Sequence, residues 1–152
     1  MSHGRQQIRD ALATLLTGLA TTGSNVFVAP SAPIPAGIPY SIEIHDPSEE
    51  PLPEGRNLDT ISRRKLSVLV TVRAKPDEGQ GNATDKADDI ALEVEKKIQT
   101  DRKLGGFCEA FGPPAMRKEI VGEQERPLAV AVLTFEIFYK TALATPDVII
   151  RQ

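Results

Sequence analysis

Tryptophan is absent, and cysteine occurs once, at Cys108. A lone cysteine excludes an internal disulfide framework and fits a reducing compartment. One Cys and two His cannot fill a zinc-finger ligand set, and no metal or cofactor is expected. Long apolar runs are missing too. The longest uncharged apolar-rich run, Pro127 to Phe135, is far too short to span a bilayer. The opening MSHGRQQIRD has no apolar core of the kind a secretory signal needs, so no signal is expected. Aromatic residues are scarce, with two Tyr and five Phe. Neither sign of charge dominates: 18 Lys and Arg stand against 21 Asp and Glu, for a net charge of -3. No basic excess invites DNA or an anionic membrane.

What is present suits one ordinary domain over residues 1–152, with 40% hydrophobic and 26% charged residues. Ile8, Leu12, Leu15, Leu16 and Leu19 recur at steps of three and four, which predicts a helix from about Arg5 to Leu19. Gly18 or Gly23 is suited to the left-handed conformation that ends helices. Asn25 to Pro30 reads as a short strand, and Tyr40 to Ile44 as a second. Lys65 to Ala74 is the clearest strand, with Leu66, Val68, Val70 and Val72 on one face. Thr84 to Thr100 predicts a second helix, with Ala87, Ile90, Ala91, Val94 and Ile98 as its apolar stripe and Asn82 or Thr84 as its cap. Asp85, Asp88 and Asp89 lie near its N-terminal end and Lys96 and Lys97 near its C-terminal end, as the helix dipole prefers. A strand over Met116 to Gly122 and a long, centrally placed strand over Leu128 to Thr141 follow. This order predicts an α+β fold: a mainly antiparallel sheet with two helices packed on one face.

Proline is the unusual abundance. Seven of the 12 prolines lie between residues 30 and 53. Proline lacks the ladder donor, so residues 45–64 are expected to form a long loop broken by Pro47, Pro51 and Pro53. Its acidic part is followed at once by Arg63, Arg64 and Lys65. Loops this long are usually functional or disordered. Asp46, Glu49, Glu50, Glu54, Arg56, Arg63 and Arg64 are therefore the candidate subunit-interface residues, on a loop ordered by a neighbouring subunit. Reversing Glu49 and Glu50 is expected to leave monomer stability unchanged and to weaken assembly. Residues 142–152 are expected to form a C-terminal arm that reaches a neighbour.

No constellation of catalytic residues emerges. GQGNATDK, Gly79 to Lys86, lies between a strand and a helix but has no Gly-Lys-Ser/Thr, and its acids would repel phosphate. It reads as a capped turn. His45 and Asp46 are adjacent on an extended segment, so their side chains are expected to diverge. Cys108 has no histidine downstream and reads as a structural thiol. Asp85, Asp88 and Asp89 lack EF-hand spacing.

Several strings in this order resemble one family. They are the leading amphipathic helix, NVFVAP, IPAGIPYSIEI, the charged segment, KLSVLVTVRAK, DKADDIALEVEKKI and the late strand ending FEIFYK. Over residues 5 to 141 this resembles the tail terminator, or tail completion, proteins of long-tailed bacteriophages. The resemblance implies a structural virion protein with no catalytic activity. Such proteins form a homo-hexameric ring on the tail tube protein, end tube polymerisation and provide the docking surface for the head-tail connector or neck. The implied location is the head-proximal end of the virion tail, after assembly in the host cytoplasm. DNA would pass through the lumen without specific binding, which an acidic chain favours. The alternatives are a tail tube or head-tail connector subunit of the same apparatus, or a small α+β ligand-binding or enzymatic domain, which needs a concave apolar pocket with convergent polar groups.

Overall fold

The structure, a computed structural model, describes residues 2–30, 37–52, 61–77, 81–121 and 127–151. Its elements run in the order α1 (Gly4–Leu16), β1 (Val26–Val28), β2 (Tyr40–Leu52), β3 (Ile61–Ala74), α2 (Ala83–Gln99), β4 (Ala115–Val121), β5 (Leu128–Ala142) and β6 (Ile149–Ile150). A 3-10 turn at Leu104–Gly106 links α2 to β4. The strands form a single sheet ordered β1-β2-β3-β5-β4, with β6 also paired to β5. Among the described residues only β1 on β2 is parallel, and the other pairings are antiparallel. The fold is therefore α+β with a mostly antiparallel sheet, as the element pattern predicts.

Alternation along the central strands sets the core. Leu66, Val68, Val70 and Val72 of β3 are fully buried, and so are Ala129, Ala131 and Ile137 of β5. Both helices cover this face. α1 buries Ile8, Leu12 and Leu16, and α2 buries its whole predicted stripe, Ala87, Ile90, Ala91, Val94 and Ile98. Burying an aliphatic side chain of this size stabilises a fold by about 1.5–3 kcal/mol. Asn82 is the cap of α2, accepting from the Thr84 N–H at 2.8 Å. α1 opens with a reciprocal box in which the His3 ring accepts from Arg5 N–H and the Gln6 side chain accepts from His3 N–H. It stops at Leu16, three residues before the predicted end. Gly18 takes a φ of 96°, and a turn closes between Gly18 N–H and Gly23 carbonyl and between Gly23 N–H and Leu19 carbonyl, each at 2.8 Å. Leu19 still packs on the core from that turn.

The expected loop over 45–64 is corrected. β2 continues to Leu52 and β3 begins at Ile61, so Asp46, Glu49, Glu50, Arg63 and Arg64 lie in paired strands. Pro53, Glu54 and Arg56 lie outside the described residues. The two prolines within β2 are accommodated by different devices. Pro47 lies in a bulge where the register shifts between His45 and Ser48, so that Asp46 and Pro47 together oppose Val68. Pro51 sits on the outward side of β2. Ile42 N–H and Ile44 carbonyl point away from β3, toward Asn25 and Ala29. Carrying that alternation through the β3 register turns the backbone of Glu49 and Pro51 outward, where a missing N–H breaks no bond of the β2–β3 ladder.

The C-terminal segment also differs from an extended arm. β6 pairs with Lys140 and Thr141, Gly4 N–H donates to Pro146 carbonyl at 3.0 Å, and Arg151 bonds Gly105 carbonyl at 2.7 Å. It folds back on its own domain. Gly4 permits this close approach, because a Cβ there would lie 2.9 Å from the Tyr139 ring.

Val70 tests the register directly. Val70→Asp would bury an unpaired carboxylate at the sheet centre and is expected to cost ~3 kcal/mol or more in urea denaturation. A variant as stable as the parent would show that β3 does not present this face to the helices.

Candidate functional site

The second half of β2 and the facing start of β3 carry most of the predicted interface residues. Strand alternation divides them between the two sheet faces. Glu49 pairs with Leu66 and so faces the helices; Glu50 pairs with Lys65 and faces the open side. Arg64 and Arg63 divide in the same way.

On the helix side, Glu49 is a junction. Its carboxylate accepts from Arg5 at 3.2 Å and from Arg64 at 3.0 Å, and it also accepts the hydroxyl of Tyr139. Tyr139 is fully buried, and its acidity is weakened first by that burial and then by the neighbouring carboxylate. Four elements meet here: α1 through Arg5, β2 through Glu49, β3 through Arg64 and β5 through Tyr139. Asp46, thrown toward α1 by the bulge, accepts from Arg9 at 2.9 Å. Both Asp46 and Glu49 are only 12% exposed.

On the open side the charges form rows across strands. Lys65 lies 3.4 Å from Glu50 and 3.3 Å from Glu136. Its pKa is raised, chiefly by the hydrogen bond to Glu136. Arg73 bonds Glu43 at 3.0 Å, and His45 stands 3.3 Å from the same carboxylate. Arg63 grips Glu109 with two bonds of 2.8 and 3.0 Å while lying over the Phe138 ring, 4.8 Å from its centre. Bidentate Arg–carboxylate pairs of this kind are the stronger, more geometrically specific ion pairs.

The structure also places the residues weighed for chemistry from the sequence. His45 and Asp46 turn to opposite faces and make no dyad. Cys108 is buried, and its thiol pKa is pushed up to about 12, mainly by burial, which suppresses the thiolate. Asp88 is engaged by Lys118 at 2.8 Å. Among the described residues no group of three or more His, Cys, Asp or Glu could hold a metal ion, and no helix is long and apolar enough to cross a membrane. A shallow groove on the open side runs between Gly112, Pro113 and Ala115 on one wall and Thr134, Glu136 and Phe138 on the other. Among the described residues that line it, Glu136 is the sole ionisable group.

Sequence reasoning did not find the Glu49 junction. One signal was available: in the alternation Phe135, Ile137, Tyr139, a phenol falls on the core side, and a buried hydroxyl needs a partner.

No protein-family description matches the chain, and neither does any curated protein. Among solved structures the chain is similar to the sheath/tube terminator of an extracellular contractile injection system, PVC, in its extended state. The likeness has a TM-score of 0.44 and 10% identity, over 92% of this chain and 58% of the other. This chain thus spans less than two thirds of that protein's length.

The two faces respond differently to substitution. Glu49→Gln leaves Arg5 and Arg64 facing a neutral group and is expected to destabilise the fold by about 1–3 kcal/mol in urea denaturation. Glu50→Lys, at an exposed site, is expected to stay within about 0.5 kcal/mol of the parent. This revises the expectation that both acids can be reversed at no cost to the monomer. Glu109 gives a pH signature. Its pKa is lowered, first by the hydrogen bonds from Arg63. A lowered folded-state pKa stabilises the fold above the ordinary carboxylate range, and that contribution is lost as pH falls through the lowered value. Glu109→Gln is expected to flatten the loss of melting temperature below pH 4.5. An unchanged acid limb would show that the Arg63 pair contributes nothing to it.

Proposed function

We propose that the chain is a structural subunit of a phage-type tail, acting as its terminator. Six copies would form a ring on the finished tube, end its polymerisation and offer the surface on which the head-tail connector or neck docks. The observation that carries this reading is the order of elements. An amphipathic helix, a short strand running into proline, a long strand pair, a second helix and a late central strand occur in the fold in the sequence the resemblance implies. The layering supports it too. A sheet with both helices on one side has two unlike faces, and a cap needs one surface that fits the tube and another that does not repeat it. The net charge of -3 suits a lumen through which DNA slides without binding. The subunit would sit at the head-proximal end of the virion tail, with its ring completed in the host cytoplasm, and no residue is assigned a catalytic step.

Within this reading Glu50 is, among the described members of the interface set, the one best placed to touch a neighbour, with a side chain 63% exposed. Arg63 would border the same contact from the open face. Asp46, Glu49 and Arg64 would act behind it by fixing the strand that presents it.

The test is to polymerise tail tubes with and without the purified chain and image them. Tubes of limited length, each with one sixfold ring at one end, are expected. Glu50→Lys is expected to lower the yield of capped tubes with the melting temperature unchanged. Filaments formed by the chain alone would identify a tube subunit instead. Unlimited tubes with no ring in the presence of the chain would overturn the terminator reading.

A further inference from the structure

The sheet has two edges, and they are finished differently. On the β1 side, the outer strand is three residues long and runs into Pro30, and the exposed stretch of β2 beyond it carries the Asp46–Pro47 bulge and the outward-facing Pro51. These are the devices by which proteins keep a sheet edge from recruiting another strand. The β4 side lacks the shortening, the proline and the bulge, and carries charge instead, at Arg117, Lys118 and Glu119. β4 is seven residues, AMRKEIV, paired in continuous register with β5 and containing no proline, glycine or bulge. Among the described residues no strand lies beyond it.

The direction of its free backbone groups follows from β5. Phe138 carbonyl accepts from Glu109 on the side of β5 where β4 lies. Alternation turns Thr134, Val132 and Val130 the same way, toward their partners Ala115, Arg117 and Glu119. The N–H and carbonyl groups of Met116, Lys118 and Ile120 therefore point outward. Met116 and Ile120 are 53% and 51% exposed, unusually open for large apolar side chains on a sheet.

The sequence of β4 specifies what covers it. Placed antiparallel to a second copy and centred on Lys118, Ala115 faces Val121, Met116 faces Ile120, and Arg117 faces Glu119. Each apolar residue meets an apolar residue, and each outer charge meets its opposite, twice over by symmetry. Arg117 and Glu119 fall at the pairs not closed by backbone bonds, where facing side chains approach most closely. The two central Lys118 residues meet at the axis, and each is already neutralised within its own chain by Asp88 at 2.8 Å.

We propose that β4 is a self-recognition strand: two copies of this chain join edge to edge through antiparallel β4–β4 pairing, making one continuous sheet across the pair. The contact is isologous and closes after two copies, so it cannot propagate into a filament. Among the described residues it occupies the edge that is neither shortened nor bulged nor closed by proline, and it turns the charges of that edge into complementary pairs. It stands independently of the proposed ring, which would use other surfaces.

The experiment uses the full chain and two single charge variants, with sedimentation velocity across the micromolar range and circular dichroism to confirm folding. The parent is expected to show a concentration-dependent monomer–dimer equilibrium. Arg117→Glu and Glu119→Arg each place like charges opposite one another at both symmetric positions and are expected to raise the dimer dissociation constant about tenfold or more. Mixing the two variants sets the two acids of one chain against the two arginines of the other, and is expected to restore the pair as a heterodimer. The double variant Arg117→Glu/Glu119→Arg is expected to restore the homodimer. A parent that stays monomeric throughout, variants that dimerise as well as the parent, or folded variants that show no heterodimer on mixing would each overturn the proposal. A pair that survives both single variants but is lost on Glu50→Lys would place the contact on the opposite edge instead.

Discussion

All 14 residues of β3 pair without interruption with β5, and the rest of the molecule takes its position from that ladder. It joins segments more than fifty residues apart, so it forms only when the chain closes a large loop, an entropic cost that the local turns do not share. Once formed, it fixes both faces at once. Even-numbered residues of β3 and odd-numbered residues of β5 go to the core; their neighbours go to the open side. A slip of one residue would move Leu66, Val68, Val70 and Val72 into water together, so the apolar pattern itself holds the register. The helices follow because they cover the face this choice makes apolar.

The Glu49 junction adds what apolar packing cannot. The core alone would accept α1 with some freedom of sliding and rotation. Arg5 on α1 and Arg64 on β3 converge on one carboxylate, and the phenol of Tyr139 holds that carboxylate from below. Removing these groups from water costs free energy that their mutual attraction only partly offsets, so the cluster is weak evidence of stability and better evidence of fixed geometry. The bulge at Asp46 and Pro47 belongs to the same arrangement. It shifts the alternation by one residue and so turns Glu49 toward α1.

Periodicity made the central elements legible. The stripe of α2, the alternation of β3 and the central place of β5 follow from apolar spacing, because tertiary packing acts on those residues in the way the spacing implies. The second half of β2 was illegible for a physical reason. Pro47 and Pro51 are read as ladder breakers, yet a proline breaks a ladder only when its missing N–H faces a partner. At a bulge or on the outward side of an edge it does not, and which side it faces depends on the register with β3, which no local window contains. The end of α1 fails in a similar way, since Leu19 keeps the helical spacing while packing on the core from a glycine turn. The interface set was found by charge and was legible only as composition. Its division between two faces is a consequence of pairing.

That division changes where assembly specificity can reside. Most of the described charges of the β2–β3 region have partners inside the chain: Asp46 with Arg9, Glu49 with Arg5 and Arg64, Glu43 with Arg73, Lys65 with Glu50 and Glu136. A neighbour that binds here must either compete with an existing ion pair or add to a carboxylate that remains largely in water, and exposed pairs of that kind contribute only about 0–1 kcal/mol each. Charge on this face therefore steers and orients more than it holds. Holding requires either buried apolar area or shared backbone bonds. The fold offers both together at β4, where Met116 and Ile120 carry outward N–H and carbonyl groups as well as exposed apolar side chains. The opposite edge, shortened, bulged and carrying proline, withholds both. A subunit finished in this lopsided way cannot add copies of itself edge to edge without limit, because head-to-tail growth consumes one edge of each kind at every step.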